Sequence, residues 1–119
     1  MIENVKEASL LYDFYGQLLT QRKQDVMELY HEENYTLAEI ADEFGISRAA
    51  VHDSLKSAEK SLLEYEEKLG LVAKFKTTDA AISRVDKMLA DMKETYRGNE
   101  EIVSRLEKIQ SVIDGLEDM

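Results

Sequence analysis

The side chains that could do chemistry in this chain are two histidines, His31 and His52, set among 25 Asp and Glu. A general base or a metal site needs such groups brought together at a fixed spacing, as two histidines one turn apart beside a glutamate would be. Here the histidines fall in different predicted helices, and no Glu or Cys at ligand spacing completes a site with either, as in HExxH. The carboxylates commonly have Lys or Arg three or four residues away, as in Glu64–Lys68 and Asp53–Lys56, the pattern of solvated helix faces. Five glycines are scattered, so no loop cradles a phosphate, and without cysteine there is neither a disulfide nor a thiolate ligand. The tyrosines at 12, 15, 30, 35, 65 and 96 lack the interleaved basic residues of a single-strand stacking surface and read as core and core-edge packing. The expectation is a non-enzymatic chain with no metal and no cofactor.

The elements that hold these residues are all predicted to be helices. The chain has 119 residues, 44% of them hydrophobic, and no proline, which favours long helices over many strands and turns. Val5, Ala8, Leu11, Phe14 and Leu18 form one amphipathic stripe over residues 5–19, which Gly16 weakens but need not end. Thr20 caps a second helix carrying Val26, Met27, Leu29 and Tyr30, and Asn34-Tyr35 breaks it. Thr36 and Glu39 make the capping-box pattern before a third helix, which Gly45 stops. Ser47 caps a long fourth helix with a heptad seam through Val51, Leu55, Ala58, Leu62, Tyr65, Leu69 and Val72, and Gly70 bends or ends it. Two further seams follow, at Ile82, Val85, Leu89, Met92, Tyr96 and at Ile102, Leu106, Ile109, Ile113, Leu116, with Arg97-Gly98-Asn99 between them and Asn99 a cap. They either close an internal hairpin or pair with a second copy, and a homodimer is the favoured expectation.

Residues 36–51 read as a helix-turn-helix, and each special position has a mechanical reason. Ala41 is small enough for two helices to cross closely; Gly45 makes the tight turn; Ile46 plugs the space beneath it. Ser47 caps the recognition helix, and Val51 and Leu55 anchor it. The predicted layout is a helical helix-turn-helix domain over residues 1–66 and a C-terminal helical extension over 67–119.

This stretch, with Leu19, Arg22, Val26 and Leu29 upstream, resembles region four of bacterial sigma factors. A closer resemblance runs from Asp13-Phe14-Tyr15 and Leu18-Leu19-Thr20 through Ser47–Lys56, Glu59-Lys60 and Glu64–Leu69, over roughly residues 10 to 75. It is similar to the YlxM family of small bacterial proteins. The resemblance implies an all-α, sigma-region-four-like bundle described as a DNA-binding component. Genes of that family typically neighbour those of the signal recognition particle GTPase and its receptor, which implies an accessory or regulatory role in that pathway. The chain departs from the family's pattern at Ala49, His52, Ser54 and Ser57, where glutamine, an aromatic, asparagine and arginine are usual. Losing the glutamine removes a bidentate reader of adenine, and losing the arginine removes a phosphate contact.

Charge separates the functions that remain. The net charge is −10, a field that repels nucleic acid and acidic membranes. Residues 1–70 hold 7 Lys+Arg against 15 Asp+Glu, so the acidic part is the part with the helix-turn-helix. A DNA footprint would consist of Ser47, Arg48, Ala49, His52, Lys56 and Lys60, opposed by Asp53 and Glu59. The expected partners are a signal recognition particle protein or its receptor, with DNA the rival and RNA polymerase a third candidate. No apolar run is long enough to span a bilayer and the start lacks a signal-peptide pattern, so a cytoplasmic location is expected.

Overall fold

A computed structural model describes residues 4–117, which form six α-helices and, among the described residues, no strand. They divide into two compact units, the first ending at Ala73 and the second beginning at Lys74.

In the first unit, α1 (Val5–Tyr15) starts where the Asn4 side chain accepts the Glu7 amide at 3.1 Å. It ends earlier than the hydrophobic stripe predicts. At Gly16 the chain keeps right-handed angles but tightens into a 3-10 turn, Gly16–Leu18. The Tyr12 ring lies over that glycine, and a Cβ there would sit 2.8 Å from it. The buried face of α1 is accordingly Ala8, Leu11 and Tyr15, while Val5, Phe14 and Leu18 stay exposed. Thr20 caps α2 (Gln21–Met27), whose last turn widens into a π-helical segment, Glu28–Glu32. Asn34, at φ 58°, then reverses the chain, and the Tyr35 amide donates to the Leu29 carbonyl at 2.9 Å.

The helix-turn-helix follows as its sequence signals require. Thr36 Oγ1 accepts the Glu39 amide at 3.1 Å and the Glu39 carboxylate accepts the Thr36 amide at 3.2 Å, a complete capping box for α3 (Leu37–Phe44). Gly45 adopts φ 64°, which glycine reaches without the Cβ penalty, and the Ile46 amide bonds back to the Ala41 carbonyl at 3.0 Å. Ser47 Oγ accepts the Ala50 amide at 3.0 Å to open α4 (Arg48–Leu69). Val51, Leu55, Ala58 and Leu62 of α4 are fully buried against Leu11, Tyr15, Val26, Met27, Ile40 and Ala41. Removing one such leucine costs about 2–5 kcal/mol, a large share of a small domain's stability.

The α4 seam stops before its predicted end. Leu69 is 56% exposed, and Gly70, at φ 63°, ends the helix outright. The turn re-aims the chain so that Val72, on the next helix, comes back to the core. The first amides of α5 (Leu71–Thr95) are met by side chains from elsewhere in the unit. Tyr15 Oη accepts from Leu71 at 3.1 Å, and the Glu66 carboxylate accepts from Val72 at 2.9 Å and from Ala73 at 3.0 Å.

The second unit comprises α5 from Lys74 onward and α6 (Glu100–Glu117). Asn99 Oδ1 accepts the Ile102 amide at 3.1 Å, the predicted cap. Gln110 Nε2 donates to Asp86 across the pair at 2.8 Å, and farther along α6 Leu116 and Glu117 stand beside Phe75 and Asp79, so the two helices run antiparallel. Only one buried apolar side chain comes from each helix among the described residues of this unit, Leu89 and Leu106. The rest of the two predicted seams is half-buried, at Ile82, Val85, Ile102 and Ile113, or exposed, at Met92, Tyr96, Ile109 and Leu116.

Candidate functional site

Two surfaces of the first unit could meet a partner: the outer face of α4 and a cleft beside α3. Of the predicted footprint, Ser47, Arg48, Ala49, Lys56 and Lys60 are exposed. Helical spacing puts Ala49, Lys56 and Lys60 on one stripe, but Asp53 stands on the same stripe between them. Arg48 and His52 lie on the flank, about a quarter-turn round. His52 is half-exposed, and its Nδ1 is 3.9 Å from Asp53 Oδ1. The Ser47 hydroxyl is occupied as the helix cap. The stripe therefore offers separated cations interrupted by a carboxylate.

Glu59, expected to oppose the lysines from the surface, is instead 3% exposed. Its carboxylate meets His31 Nε2 at 3.2 Å, between α4 and the π turn. This pair was missed because the two residues are 28 apart in sequence. The local signal was Glu59's own register, four residues after the core residue Leu55 and three before Leu62. Taking a carboxylate out of water is costly unless it is paired and hydrogen-bonded, so His31 holds the π turn to α4 through a contact the core cannot leave open.

A second missed pair is Tyr15 and Glu66, whose hydroxyl and carboxylate meet at 2.5 Å. Burial first, then the bond to Glu66, raises the Tyr15 phenol above its ordinary pKa. Tyr12 behaves alike: burial and the 2.7 Å bond to Glu28 push its phenol up.

The cleft lies between the π turn and the end of α3, with a volume of about 330 Å³. Asp25, Glu28, Glu32, Glu33 and Glu43 line it, around Leu29, Tyr35 and Phe44. The three apolar residues also pack on the core, so the floor is fixed in place. Arg22 lies over the Phe44 ring, its guanidinium carbon 4.5 Å from the centroid. The widened π turn, a feature that recurs at functional sites, is what spreads Glu28, Glu32 and Glu33 along the rim. Among the described residues no group of three or more His, Cys, Asp or Glu is arranged to hold a metal, and no helix is long and apolar enough to cross a membrane.

A capped, glycine-turned pair of helices packed on a helical core defines a helix-turn-helix protein. The chain belongs to the UPF0122 family, "Putative helix-turn-helix protein, YlxM / p13 like", which it matches over residues 2–109. A UPF0122 protein of Desulforamulus reducens is 49% identical over 81 residues, covering 68% of this chain and 69% of that one. UPF0122 proteins of Bacillus cereus (strain AH187) and Bacillus thuringiensis subsp. konkukian are each 36% identical over 109 residues, 92% of this chain and 99% of theirs. The family match thus reaches well past residue 75, where the recognisable sequence pattern ends, and takes in most of the second unit. The family is described by its fold and not by a catalytic activity.

Proposed function

We propose that this chain is a non-enzymatic accessory or regulatory protein of the signal recognition particle pathway, working in the cytoplasm through protein or ribonucleoprotein contacts. The observation that carries this reading is the cleft: carboxylates from α2, the π turn and α3 ring an apolar floor of Leu29, Tyr35 and Phe44. Such a site suits a basic segment with an apolar side chain to seat, because the rim supplies long-range attraction and the floor supplies burial. Proteins that bind RNA carry basic surfaces, and the targeting GTPases are of that kind. The net charge of −10 works in the same direction, steering basic partners in and keeping nucleic acid out.

The test is co-precipitation with the particle's protein and with its receptor at ~50 and ~300 mM salt, where an encounter of this kind weakens as the Debye length shrinks. Capture at low salt, reduced at high salt and lost in Glu33→Lys/Glu43→Lys, is the expected result. Recovery of neither partner at low salt ends this proposal.

The second reading is a DNA-binding regulator, favoured by the intact turn and by Arg48, Lys56 and Lys60 standing exposed on α4. Ser47, Ala49 and His52 would complete the contact. A gel-shift series at ~50 mM salt, with Arg48→Ala as control, separates the two, since phosphate contacts are strong there. A shift that Arg48→Ala abolishes would move the assignment to DNA.

A further inference from the structure

The second unit has two unlike flanks. On one, Gln110 Nε2 bridges Asp86 and Asp114, each at 2.8 Å, and Glu117 lies against Asp86 and Asp79. For antiparallel right-handed helices that contact fixes which residues share the opposite flank. Met88 and Met92 lie one turn apart on the side of α5 turned from Asp86, and Ile109, Val112 and Leu116 on the side of α6 turned from Asp114. The opposite flank is therefore largely apolar, interrupted on α6 by the exposed Arg105–Glu101 pair one turn before Ile109, and it is open: Met88 is 64% exposed and Val112 68%.

We propose that this flank is the seat of a second copy of the chain, two hairpins closing into a four-helix bundle. Three observations select that occupant. The first is deficiency of core: among the described residues from Lys74 onward one apolar side chain on each helix is buried, Leu89 and Leu106, which leaves a two-helix unit without the apolar burial that stabilises ordered helices. A gap of about 410 Å³ opens between α5 and the end of α6, lined by Phe75, Ile82 and Leu116 and, from the polar flank, by Asp79, Ser83 and Glu117, so that end of the pair's own seam is partly unfilled. The second is area. Five apolar side chains roughly half exposed offer on the order of 500 Å² per copy, about 1,000 Å² for a pair, the threshold for a specific interface and as large as the patches monomers tolerate. The third is charge. Residues 71–119 hold 8 Lys+Arg against 10 Asp+Glu, whereas residues 1–70 hold 7 against 15. Self-association through the hairpin meets less repulsion than it would through the first unit, and the hairpin has little net charge to draw in a strongly charged partner.

The test is sedimentation of the full chain at ~50 µM. The wild type is expected at twice the 13.7 kDa chain mass. Met88→Glu/Val112→Glu places charge at the centre of the seam and is expected at 13.7 kDa, with dimer affinity reduced on the order of a hundredfold or more. Met88→Lys/Val112→Lys is expected to behave the same way. An equimolar mixture of the two variants is expected to regain the dimer mass, which hairpins that had failed to fold could not do. A monomeric wild type, a dimer that survives in the Glu variant, or a mixture that stays monomeric would each overturn the proposal.

Discussion

Gly16 and Gly45 are both demanded by the structure, for different reasons, and substituting each isolates those reasons. Gly45 sits at φ 64° with nothing within 4 Å of where a Cβ would stand, so Gly45→Ala meets conformational strain alone. The left-handed penalty of about 1–2 kcal/mol is offset in part by the ~0.4–1 kcal/mol that alanine gains by stiffening the unfolded chain, which leaves a net loss of about 1 kcal/mol. Gly45→Asn, whose side chain tolerates that region, should lose well under ~1 kcal/mol. Gly16 presents the opposite case. Its angles, φ −55° and ψ −35°, suit alanine, but the new Cβ would stand 2.8–3.0 Å from three atoms of the Tyr12 ring. The ring must move, and its 2.7 Å bond to Glu28 moves with it. Overpacking of this kind costs about 1–3 kcal/mol. The assay is urea unfolding followed by helical circular dichroism, run as a cycle of Gly16→Ala, Tyr12→Ala and the double variant. With the ring removed, Gly16→Ala should become neutral or stabilising, giving a coupling energy of at least about 1 kcal/mol. An additive cycle would refute the packing account of Gly16. An equal cost for Gly45→Ala and Gly45→Asn would refute the strain account of Gly45.

Other expectations are read from single measurements. Glu59→Ala leaves His31 facing a cavity and should lower stability by about 2–4 kcal/mol, while Glu59→Gln, which keeps an acceptor oxygen, should lose less; equal losses in denaturant unfolding would show that the hydrogen bond contributes nothing. The Tyr15 phenol titrates higher in the folded chain than in the unfolded one, so its contribution is complete below the ordinary value of 10.0 and declines as pH rises beyond it. The gap in melting temperature between wild type and Tyr15→Phe should therefore narrow above pH ~10, and a gap constant from pH 8 to 11 would contradict this. Glu117 has its carboxyl raised above 4.5, first by its hydrogen bond to Asp86 and then by that group's charge, so the contact is strongest below that value and is lost as pH rises through the raised one. Amide protection at the end of α6 should be higher near pH 4 than at pH 7, and Glu117→Gln, which keeps a donor, should flatten the difference.

Much of the candidate surface was legible in the chain because its signals are local. Thr36 with Glu39, Gly45 and Ser47 each act on backbone groups within four residues, so residue type and spacing specify the bond that forms. The core residues of α4 from Val51 to Leu62 follow from periodicity alone, because one face of a helix must leave water. The same logic overran at both ends. It extended α1 through Gly16, where the helix gives way to a 3-10 turn beneath the Tyr12 ring, and it continued the α4 seam to Leu69, which lies exposed just before Gly70 ends the helix. The cleft was not legible: its lining comes from Asp25 to Phe44, across two helices, a π turn and a reversal at Asn34.

The amino-acid sequence by itself determined the helical class, the capped turn at residues 36–51, the family and the acidic balance, since each depends on composition or on neighbours along the chain. Tertiary structure alone decided that Glu59 is buried on His31, that Tyr15 and Glu66 hold the start of α5, that five carboxylates ring one cleft, and that one flank of the α5–α6 pair is bare. Those outcomes depend on the rotation of one helix against another. A periodic pattern says which side of a helix seeks cover, while only packing settles what covers it and which charged residues at its margin are drawn in.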